Sequence, residues 1–210
     1  MDVRVDVEIT SLADLEAVVG LPIQRVADKV LPALLPIHRQ WIAHSPFLML
    51  ATTAADGTCD VSPKGDPAGF VKVLDDRTIA VPERPGNRRV DGYRNVLSNP
   101  HVGLIFVIPG RADTLRVNGR ARVLRDAPYF DEMAVKGNRP ILALEVAVEE
   151  VFFHCAKAFL RSQLWQSGSW NPDAVPSRPR IAQQLERPDA SLEELERYYG
   201  AAYAEGLYRG

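Results

Sequence analysis

Two groups of cationic and small polar residues follow neighbouring predicted strands between positions 59 and 91. The first group lies on the second predicted strand and the other follows the fourth: Ser62 and Lys64, then Asn87, Arg88 and Arg89. Guanidinium and ammonium groups beside exposed backbone N–H groups are what a phosphate binds. The pattern therefore indicates a local phosphate pocket, and the alternative is an ordinary solvated basic turn.

A further cationic set alternates with apolar residues in the segment LRVNGRARVL. Arg116, Arg120 and Arg122 fall on one face of this predicted strand, opposite an apolar face. An exposed barrel face accounts for that pattern. The alternative is that Arg116 and Arg120 form the rim of a pocket floored by the apolar strand Leu104–Ile108, where they attract an anionic substrate or an electron donor's phosphate.

Histidine and cysteine give little sign of a catalytic or metal site. His154 precedes Cys155 at the end of an apolar strand without an identifiable acidic partner, so we predict a buried structural thiol there. The other three histidines have no ligand spacing, and the two cysteines form no CxxC motif. We therefore predict neither a metal site nor a disulfide.

The composition bounds the class of protein. The 210 residues fit one domain, and with 46% apolar residues the chain can bury a substantial core. A net charge of -2 gives no general attraction to nucleic acid or anionic membranes, so an anion site has to be local. We find no signal-peptide pattern and no apolar run near the roughly 20 residues of a membrane helix. We expect a cytoplasmic protein without nucleic-acid or membrane partners.

Apolar and alternating segments predict six or seven strands, with helices at the ends and in the connections. The strand segments are FLMLATT, CDVSPKG, FVKVL, TIAVP, HVGLIFVIP, LRVNGRARVL and ILALEVAVEEVFFH. Helices are predicted near 11–20, 23–31, 36–43, 87–99, 126–137, 156–165 and 191–206. Strands in meander order favour a mainly β (α+β) fold with a closed antiparallel barrel. We expect a helical segment 1–46, a barrel domain 47–165 and a C-terminal loop and helix 166–210.

The sequence from about Ile42 to Trp165 resembles a known family. The stretches that carry the resemblance are FLMLATTAADGTCDVSPKGDPAGFVKVLDDRTIAVPERPGNRRVDGYRNVLSNPHVGLIFVIPG, TLRVNGRARV and VFFHCAKAFLRSQLW. In this order they are similar to the pyridoxamine 5′-phosphate oxidase-like flavoproteins, above all to a bacterial branch of FMN-dependent enzymes. The resemblance implies an FMN-binding split antiparallel β-barrel, and a homodimer with FMN in clefts between its two subunits.

The resemblance also implies which residues meet the cofactor. The isoalloxazine ring and phosphate would be lined by Ser62, Pro63 and Lys64, and the ring edge would meet backbone groups of Val81 and Pro82. The phosphate would be held by Asn87, Arg88 and Arg89. Four further residues would reach the partner's FMN: His154, Lys157, Arg161 and Trp165.

The activity implied is that of an FMN-dependent oxidoreductase acting on an unknown small molecule, with a nicotinamide as candidate electron donor. The family's Arg-x-His signature for substrate phosphate is missing near the end, which reads Tyr208-Arg209-Gly210, so we do not expect oxidation of pyridoxamine phosphate. Two alternatives stay open: a flavin-binding protein without turnover, and a haem- or deazaflavin-binding relative. Haem would need an axial ligand, for which His154 is the candidate.

Overall fold

A seven-stranded antiparallel sheet dominates the structure, a computed structural model that describes residues 7–208. Its strands are β1 (Phe47–Thr53), β2 (Cys59–Gly65), β3 (Lys72–Val73), β4 (Thr78–Glu83), β5 (His101–Val107), β6 (Thr114–Leu124) and β7 (Leu142–His154). Hydrogen bonds order them β2-β1-β5-β6-β7-β4-β3. The predicted α+β fold and strand number are confirmed, and the predicted meander order is wrong. A helix between β4 and β5 carries the chain back across the sheet, so β5 pairs with β1 while β4 pairs with β7.

Turn residues end the strands where the hairpins form. The turn between β1 and β2 contains Gly57, whose φ of 89° is rarely adopted by residues with a side chain. Before β4, the Oδ1 of Asp75 accepts the backbone N–H two residues further on at 2.7 Å. Both turns lie between segments that the sequence predicts as consecutive strands. The strand β3 is much shorter than the predicted FVKVL.

The inward faces of the strands form the core. Along β1 the burial alternates, so that Leu48 and Leu50 are buried while Met49 is exposed. The same alternation places Leu104 and Phe106 of β5 in the barrel interior, with no exposed surface. Leu104 and Phe106 are therefore core and cannot form the predicted pocket floor, whereas Ile105 is exposed and Ile108 lines a cavity.

Helices pack at both ends of the sequence and in the connection between β4 and β5. They are α1 (Leu12–Val19), α2 (Gln24–Ala27), α3 (Pro36–His44), α4 (Asp91–Ser98), α5 (Lys157–Ser162), α6 (Arg178–Leu185), α7 (Leu192–Tyr198) and α8 (Ala201–Glu205). The helix α1 begins at the predicted cap, where the Oγ of Ser11 accepts the N–H of Asp14 at 3.1 Å. Among the helices of residues 7–208, none combines the length and apolar character that a membrane crossing requires.

The helix predicted over 126–137 is wrong. This segment contains a single 3₁₀ turn, Asp131–Met133. Within it, the carbonyl of Met133 accepts a hydrogen bond from the guanidinium of Arg84 at 2.7 Å, and the carbonyl of Asn138, just beyond it, accepts another at 3.2 Å. A buried side chain from β4's end therefore satisfies a carbonyl that a helix would have paired internally.

Candidate phosphate-binding site

A cleft of about 300 Å³ opens between β2 and the residues 85–90 that precede α4, here called the 85–90 loop. Five predicted residues line it: Ser62, Pro63, Lys64, Asn87 and Arg89. Arg88 lines an adjoining cleft of about 310 Å³ that shares Asn87 and Arg89. The fold thus brings together the residues from β2 and from the 85–90 loop. The helix α4 begins at Asp91, so the predicted start of this helix at position 87 is wrong and the three phosphate candidates lie in a loop.

A close contact between α4 and the sheet positions the first turn of this helix at the cleft. A Cβ added to Gly92 would stand 3.0 Å from the Oδ2 of Asp60 on β2. One turn later, Asn95 donates from Nδ2 to the Oγ1 of Thr52 on β1 at 3.1 Å. Glycine at position 92 therefore allows the backbone of α4 to approach β2 closely.

The ammonium group of Lys64 is held inside the cleft by a carboxylate. Its Nζ lies 2.5 Å from the Oε2 of Glu83, and the hydroxyl of Tyr93 donates to the same oxygen at 2.7 Å. The Lys64 and Glu83 side chains are 14% and 19% exposed. Burial, and then the charge of Glu83, raise the pKa of Tyr93, so its hydroxyl stays protonated and remains a donor. A phosphate entering this cleft has to share Lys64 with Glu83.

The 85–90 loop presents Arg88 in a conformation that is unfavourable for a side-chain-bearing residue. The φ of Arg88 is 63°, in the left-handed region. Next to it, the Oδ1 of Asn87 accepts the backbone N–H of Arg89 at 2.9 Å, which closes a local turn. Arg89 is paired with Asp91, whose hydrogen bond and charge raise the pKa of Arg89. Among the side chains that the structure describes, none forms a salt bridge with Arg88, whereas Arg89 pairs with Asp91, so Arg88 is the candidate donor to an anionic ligand.

Three carboxylates that the sequence analysis did not single out also line the cleft. They belong to Asp60, Glu83 and Asp91, and they outnumber the two cations on the same walls, Lys64 and Arg89. The cleft is therefore not a strongly positive surface. An anion that bound here would have to draw on Arg88 in the adjoining cleft, on backbone N–H groups of the loop and on rearranged ion pairs.

The predicted ring-edge residues, Val81 and Pro82, lie in β4 and are buried. On one side they pair with β7. On the other side β3 pairs with β4 as far as Ala80, so this edge of Val81 and Pro82 has no strand neighbour within the described sheet. Polar backbone atoms on such an edge need a partner, and Pro82 contributes its carbonyl alone because it lacks an N–H.

The four residues predicted to reach a partner's cofactor lie away from this cleft within one protomer. They are His154, Lys157, Arg161 and Trp165. The register places Lys64 and Phe153 in one row that crosses five strands, a path of about 19 Å along the sheet at ~4.8 Å per strand. Lys157 and Arg161 are exposed and one turn apart on α5, as predicted.

The imidazole of His154 stands at the end of β7 beside Phe152, with ring centroids 5.0 Å apart. Its Nε2 is buried and has no hydrogen-bond partner within residues 7–208. Burial, with smaller contributions from the charges of Arg116 and Lys29, lowers the pKa of His154, so the ring is neutral at pH 7. A buried Nε2 is poorly placed as an axial ligand of haem, because the side chain would first have to rotate.

The thiol of Cys155 is exposed, which corrects the prediction of a buried structural cysteine. It follows the last residue of β7, where the chain leaves the core and turns into α5. The hydrogen bond from the backbone N–H of Lys157 is the largest effect on this group and lowers the pKa of Cys155. Within residues 7–208, no three His, Cys, Asp or Glu side chains are grouped to hold a metal.

A separate cavity of about 540 Å³ lies between α3 and the turn that joins β5 to β6. Its walls include Trp41 and Arg111, whose guanidinium carbon lies 4.9 Å from the indole ring. The Nε1 of Trp165 donates to the carbonyl of Arg111 at 2.7 Å. Trp165 therefore anchors the segment after α5 to the turn that joins β5 to β6, and its contact with a partner's cofactor stays a prediction.

The family assignment follows from a match to the family model described as pyridoxamine 5′-phosphate oxidase, which covers residues 34–155. This is more than half of the sequence, and the chain therefore belongs to that family. Residues outside this range, including all of the C-terminal helices, are not part of the match. No curated protein gave a match.

Several solved structures match a little more than half of this chain. A protein from Lactobacillus delbrueckii described as a candidate pyridoxamine 5′-phosphate oxidase has 26% identity, covers 58% of this chain and 95% of its own, and has a TM-score of 0.46. HupZ from Group A Streptococcus has 22% identity, coverage of 57% and 93%, and a TM-score of 0.46. An FMN-binding protein from Syntrophomonas wolfei has 16% identity, coverage of 56% and 83%, and a TM-score of 0.45.

Proposed function

We propose that the protein is a cytoplasmic FMN-dependent oxidoreductase that acts on a small molecule. The observation that carries the proposal is the convergence of Ser62 and Lys64 with the 85–90 loop around one cleft. Membership of a family in which FMN is a cofactor supports the same assignment. The sequence has no Gly-rich dinucleotide fingerprint, which favours a mononucleotide with a single phosphate.

The residues present fit FMN. Asn87, Arg88 and Arg89 would hold the phosphate. The strongest argument for this role is that Arg88, unlike Arg89, has no salt bridge among the described side chains. Ser62, Pro63 and Lys64 would lie along the flavin, and the unpaired edge of Val81 and Pro82 would supply backbone hydrogen bonds. The flavin, when bound, supplies hydride or electron transfer. The chain binds and orients it, and Tyr93 fixes Glu83, which in turn fixes Lys64.

A homodimer is the second part of the proposal. Residues that are paired across neighbouring strands lie on the same face of the sheet. One row of such residues crosses five strands on the outward face: Pro63, Met49, Ile105, Arg116 and Phe152. Met49 and Ile105 are 36% and 38% exposed, and Val61 beside them is 58% exposed. An apolar sheet face of this kind is stabilised by burial against a second copy.

The same row connects the two groups of candidate cofactor residues. Pro63 stands at one end and Phe152, in contact with His154, at the other. A two-fold axis through the middle of the row would set the His154 end of one subunit opposite the Pro63 end of its partner. We therefore propose that His154, Lys157, Arg161 and Trp165 act on the partner's FMN.

A flavin-binding protein without turnover is the second candidate function. It is favoured by the ion pairs of the cleft, because Lys64 and Arg89 are both engaged by carboxylates and the hydroxyl of Tyr93 is committed to Glu83. These contacts occupy Lys64, Arg89 and Tyr93, so none of these three side chains is free to act as a general acid or base. Flavin reactions often need no general acid or base from the protein, so the enzyme and the binding protein would differ only in whether they turn over a substrate.

The visible spectrum of the purified protein tests the cofactor, and an anaerobic titration tests the activity. We expect a flavin spectrum, release of FMN rather than FAD on denaturation, and bleaching of the flavin band by a reduced nicotinamide. A haem or deazaflavin spectrum would contradict the cofactor assignment. A flavin that neither reduced nicotinamide bleaches, in a protein without turnover on any acceptor, would favour the binding protein over the enzyme.

A further inference from the structure

The hydroxyl of Tyr208 ties the last described residue of the chain to the barrel. It donates to the Oδ1 of Asp66 at 2.7 Å, across 142 positions of sequence. The other carboxylate oxygen of Asp66, Oδ2, accepts from the Nε of Arg84 at 2.6 Å. The side chains of Asp66 and Arg84 are 3% and 12% exposed, so this is a desolvated ion pair with both carboxylate oxygens in use.

Arg84 is the centre of this network and the residue directly before the 85–90 loop. Besides Asp66, its guanidinium bonds the carbonyls of Met133 and Asn138. Its guanidinium carbon lies 5.8 Å from the ring of Tyr208. The end of β4, the turn after β2 and the segment 133–138 are therefore joined through one planar group, which fixes where the 85–90 loop starts.

The C-terminal segment, residues 197–208, also lies alongside the loop itself. A cavity of about 650 Å³ separates them, with Pro85, Gly86 and Asn87 on one wall. The opposite wall is formed by the C-terminal segment, chiefly Arg197, Tyr198, Tyr203 and Leu207. The segment thus flanks the side of the loop that faces away from β2, and Tyr208 is its anchor.

We propose that Tyr208, Asp66 and Arg84 form a clasp through which the C-terminal segment holds the 85–90 loop in its phosphate-binding conformation. Tyr208 is a positioning residue that acts through Asp66 and Arg84. The hydrogen bond to Asp66 raises the pKa of Tyr208, which keeps the hydroxyl protonated as a donor. The nature of the ligand rests on the proposed function, whereas the clasp itself rests on the contacts of these three residues.

The physical reason is the cost of an unpaired buried acceptor. Without the hydroxyl, Oδ1 of Asp66 loses its donor in a place that water barely reaches, so the carboxylate has to turn or the segment has to open. Either movement disturbs the bond to Arg84, and with it the start of the loop. Because the conformation of Arg88 is already unfavourable, a less constrained loop is expected to leave it readily.

The test is Tyr208→Phe, which keeps the ring and removes the hydroxyl. The matched control is Tyr129→Phe, which deletes a hydroxyl that donates to the carboxylate of Glu145 at 2.9 Å, away from the loop. The full-length variants are compared by hydrogen exchange of the peptide covering 84–91, with and without added FMN, and by the FMN dissociation constant. We expect Tyr208→Phe to raise exchange in this peptide and to weaken FMN binding by roughly three- to tenfold, with wild-type values for Tyr129→Phe.

The outcomes separate the clasp from the proposed function. Unchanged exchange and unchanged FMN affinity in Tyr208→Phe would overturn the clasp, and so would an equal effect of Tyr129→Phe. If wild-type protein binds no FMN, but Tyr208→Phe still raises exchange in 84–91 alone, the clasp stands and the cofactor assignment fails. A chain ending at Leu207 should reproduce Tyr208→Phe, and wild-type behaviour of that chain would also refute the clasp.

Discussion

At the scale of single residues, the candidate site depends on one strained arginine among paired charges. Lys64 and Arg89 already have carboxylate partners, Glu83 and Asp91. Arg88 has none among the described residues, and its φ of 63° costs about 1 kcal/mol relative to an ordinary conformation. Strain of this kind persists when the surrounding structure imposes it, and it occurs most often where a ligand is bound. Arg88 is therefore the residue at which binding and stability can be separated by mutation.

We expect Arg88→Ala to weaken FMN binding by about 1.5–3 kcal/mol, because a charge-assisted hydrogen bond to the phosphate is lost. Arg88→Gly should weaken binding as much, yet it should unfold at the same or a higher temperature than wild type, since glycine tolerates a φ of 63°. Flavin fluorescence and thermal unfolding measure the two effects. Arg94→Ala, an exposed arginine one turn into α4, is the matched control and should bind FMN normally.

If Arg88→Ala and Arg89→Ala both bind FMN as wild type does, the phosphate assignment is wrong. A loss of affinity in Arg94→Ala as large as in Arg88→Ala would point instead to a general effect of net charge.

Residue types and their positions beside strand ends identify the cations of the site from the sequence. They do not show which carboxylate each cation pairs with. Ser62, Lys64 and Arg88 stand out because small polar and cationic residues beside strand ends suggest an anion site. The role of Glu83 comes from distances of 2.5 and 2.7 Å to residues 19 and 10 positions away, which no local pattern contains. The helical spacing of Tyr93 predicts a core residue. The hydrogen bond from its hydroxyl to Glu83 follows from the three-dimensional structure and not from the sequence.

At the scale of elements, the strands are predicted well and their order is not. Alternation of buried and exposed residues reproduces β1 and β2 to the residue, because a half-buried strand imposes a period of two. The pairing of β5 with β1 depends on where α4 directs the chain, which is a property of packing rather than of any segment. The segment 126–137, predicted as a helix, likewise makes a contact that its own sequence does not contain: the carbonyl of Met133 is bound by Arg84 from another element.

The long pair of β6 and β7 depends on a glycine at its irregular position. The register shifts between Asn118 and Gly119, and a Cβ on Gly119 would stand 2.0 Å from the carbonyl oxygen of Ala147. Because this oxygen belongs to the backbone, it cannot move aside as the end of a flexible side chain can. We expect Gly119→Ala to lower the free energy of unfolding by about 2–4 kcal/mol, measured by denaturant titration.

Gly103→Ala on the neighbouring strand β5 is the control, since its Cβ would meet the side-chain oxygen of Asn118 at an ordinary 3.4 Å. Its loss of stability should be clearly smaller. Equal stabilities of the two variants would show that the bulge can open to accept a side chain, contrary to the packing described here.

At the scale of the whole molecule, our proposal is that a second subunit completes the candidate site. The path along the sheet from the cleft at the 85–90 loop to the group around His154 crosses five strands and is about 19 Å long. The outward row of Pro63, Met49 and Ile105 lies between them. Dimer formation and FMN binding are therefore expected to be linked, because each subunit would contribute residues to the cofactor of the other.

We expect wild-type protein to have twice the chain mass of 23.3 kDa in solution and Ile105→Glu to be a monomer. A carboxylate in the middle of the row would be buried against apolar surface on dimerisation, at a cost of several kcal/mol per subunit. Light scattering at micromolar concentration measures the mass, and Ile105→Glu should also lose FMN affinity, since the partner's His154 group is no longer present. Leu185→Glu on α6, where leucine is 78% exposed, is the control and should stay dimeric with bound FMN. A wild-type monomer that retains FMN would contradict the shared site, and a dimeric Ile105→Glu would place the interface on another face of the sheet.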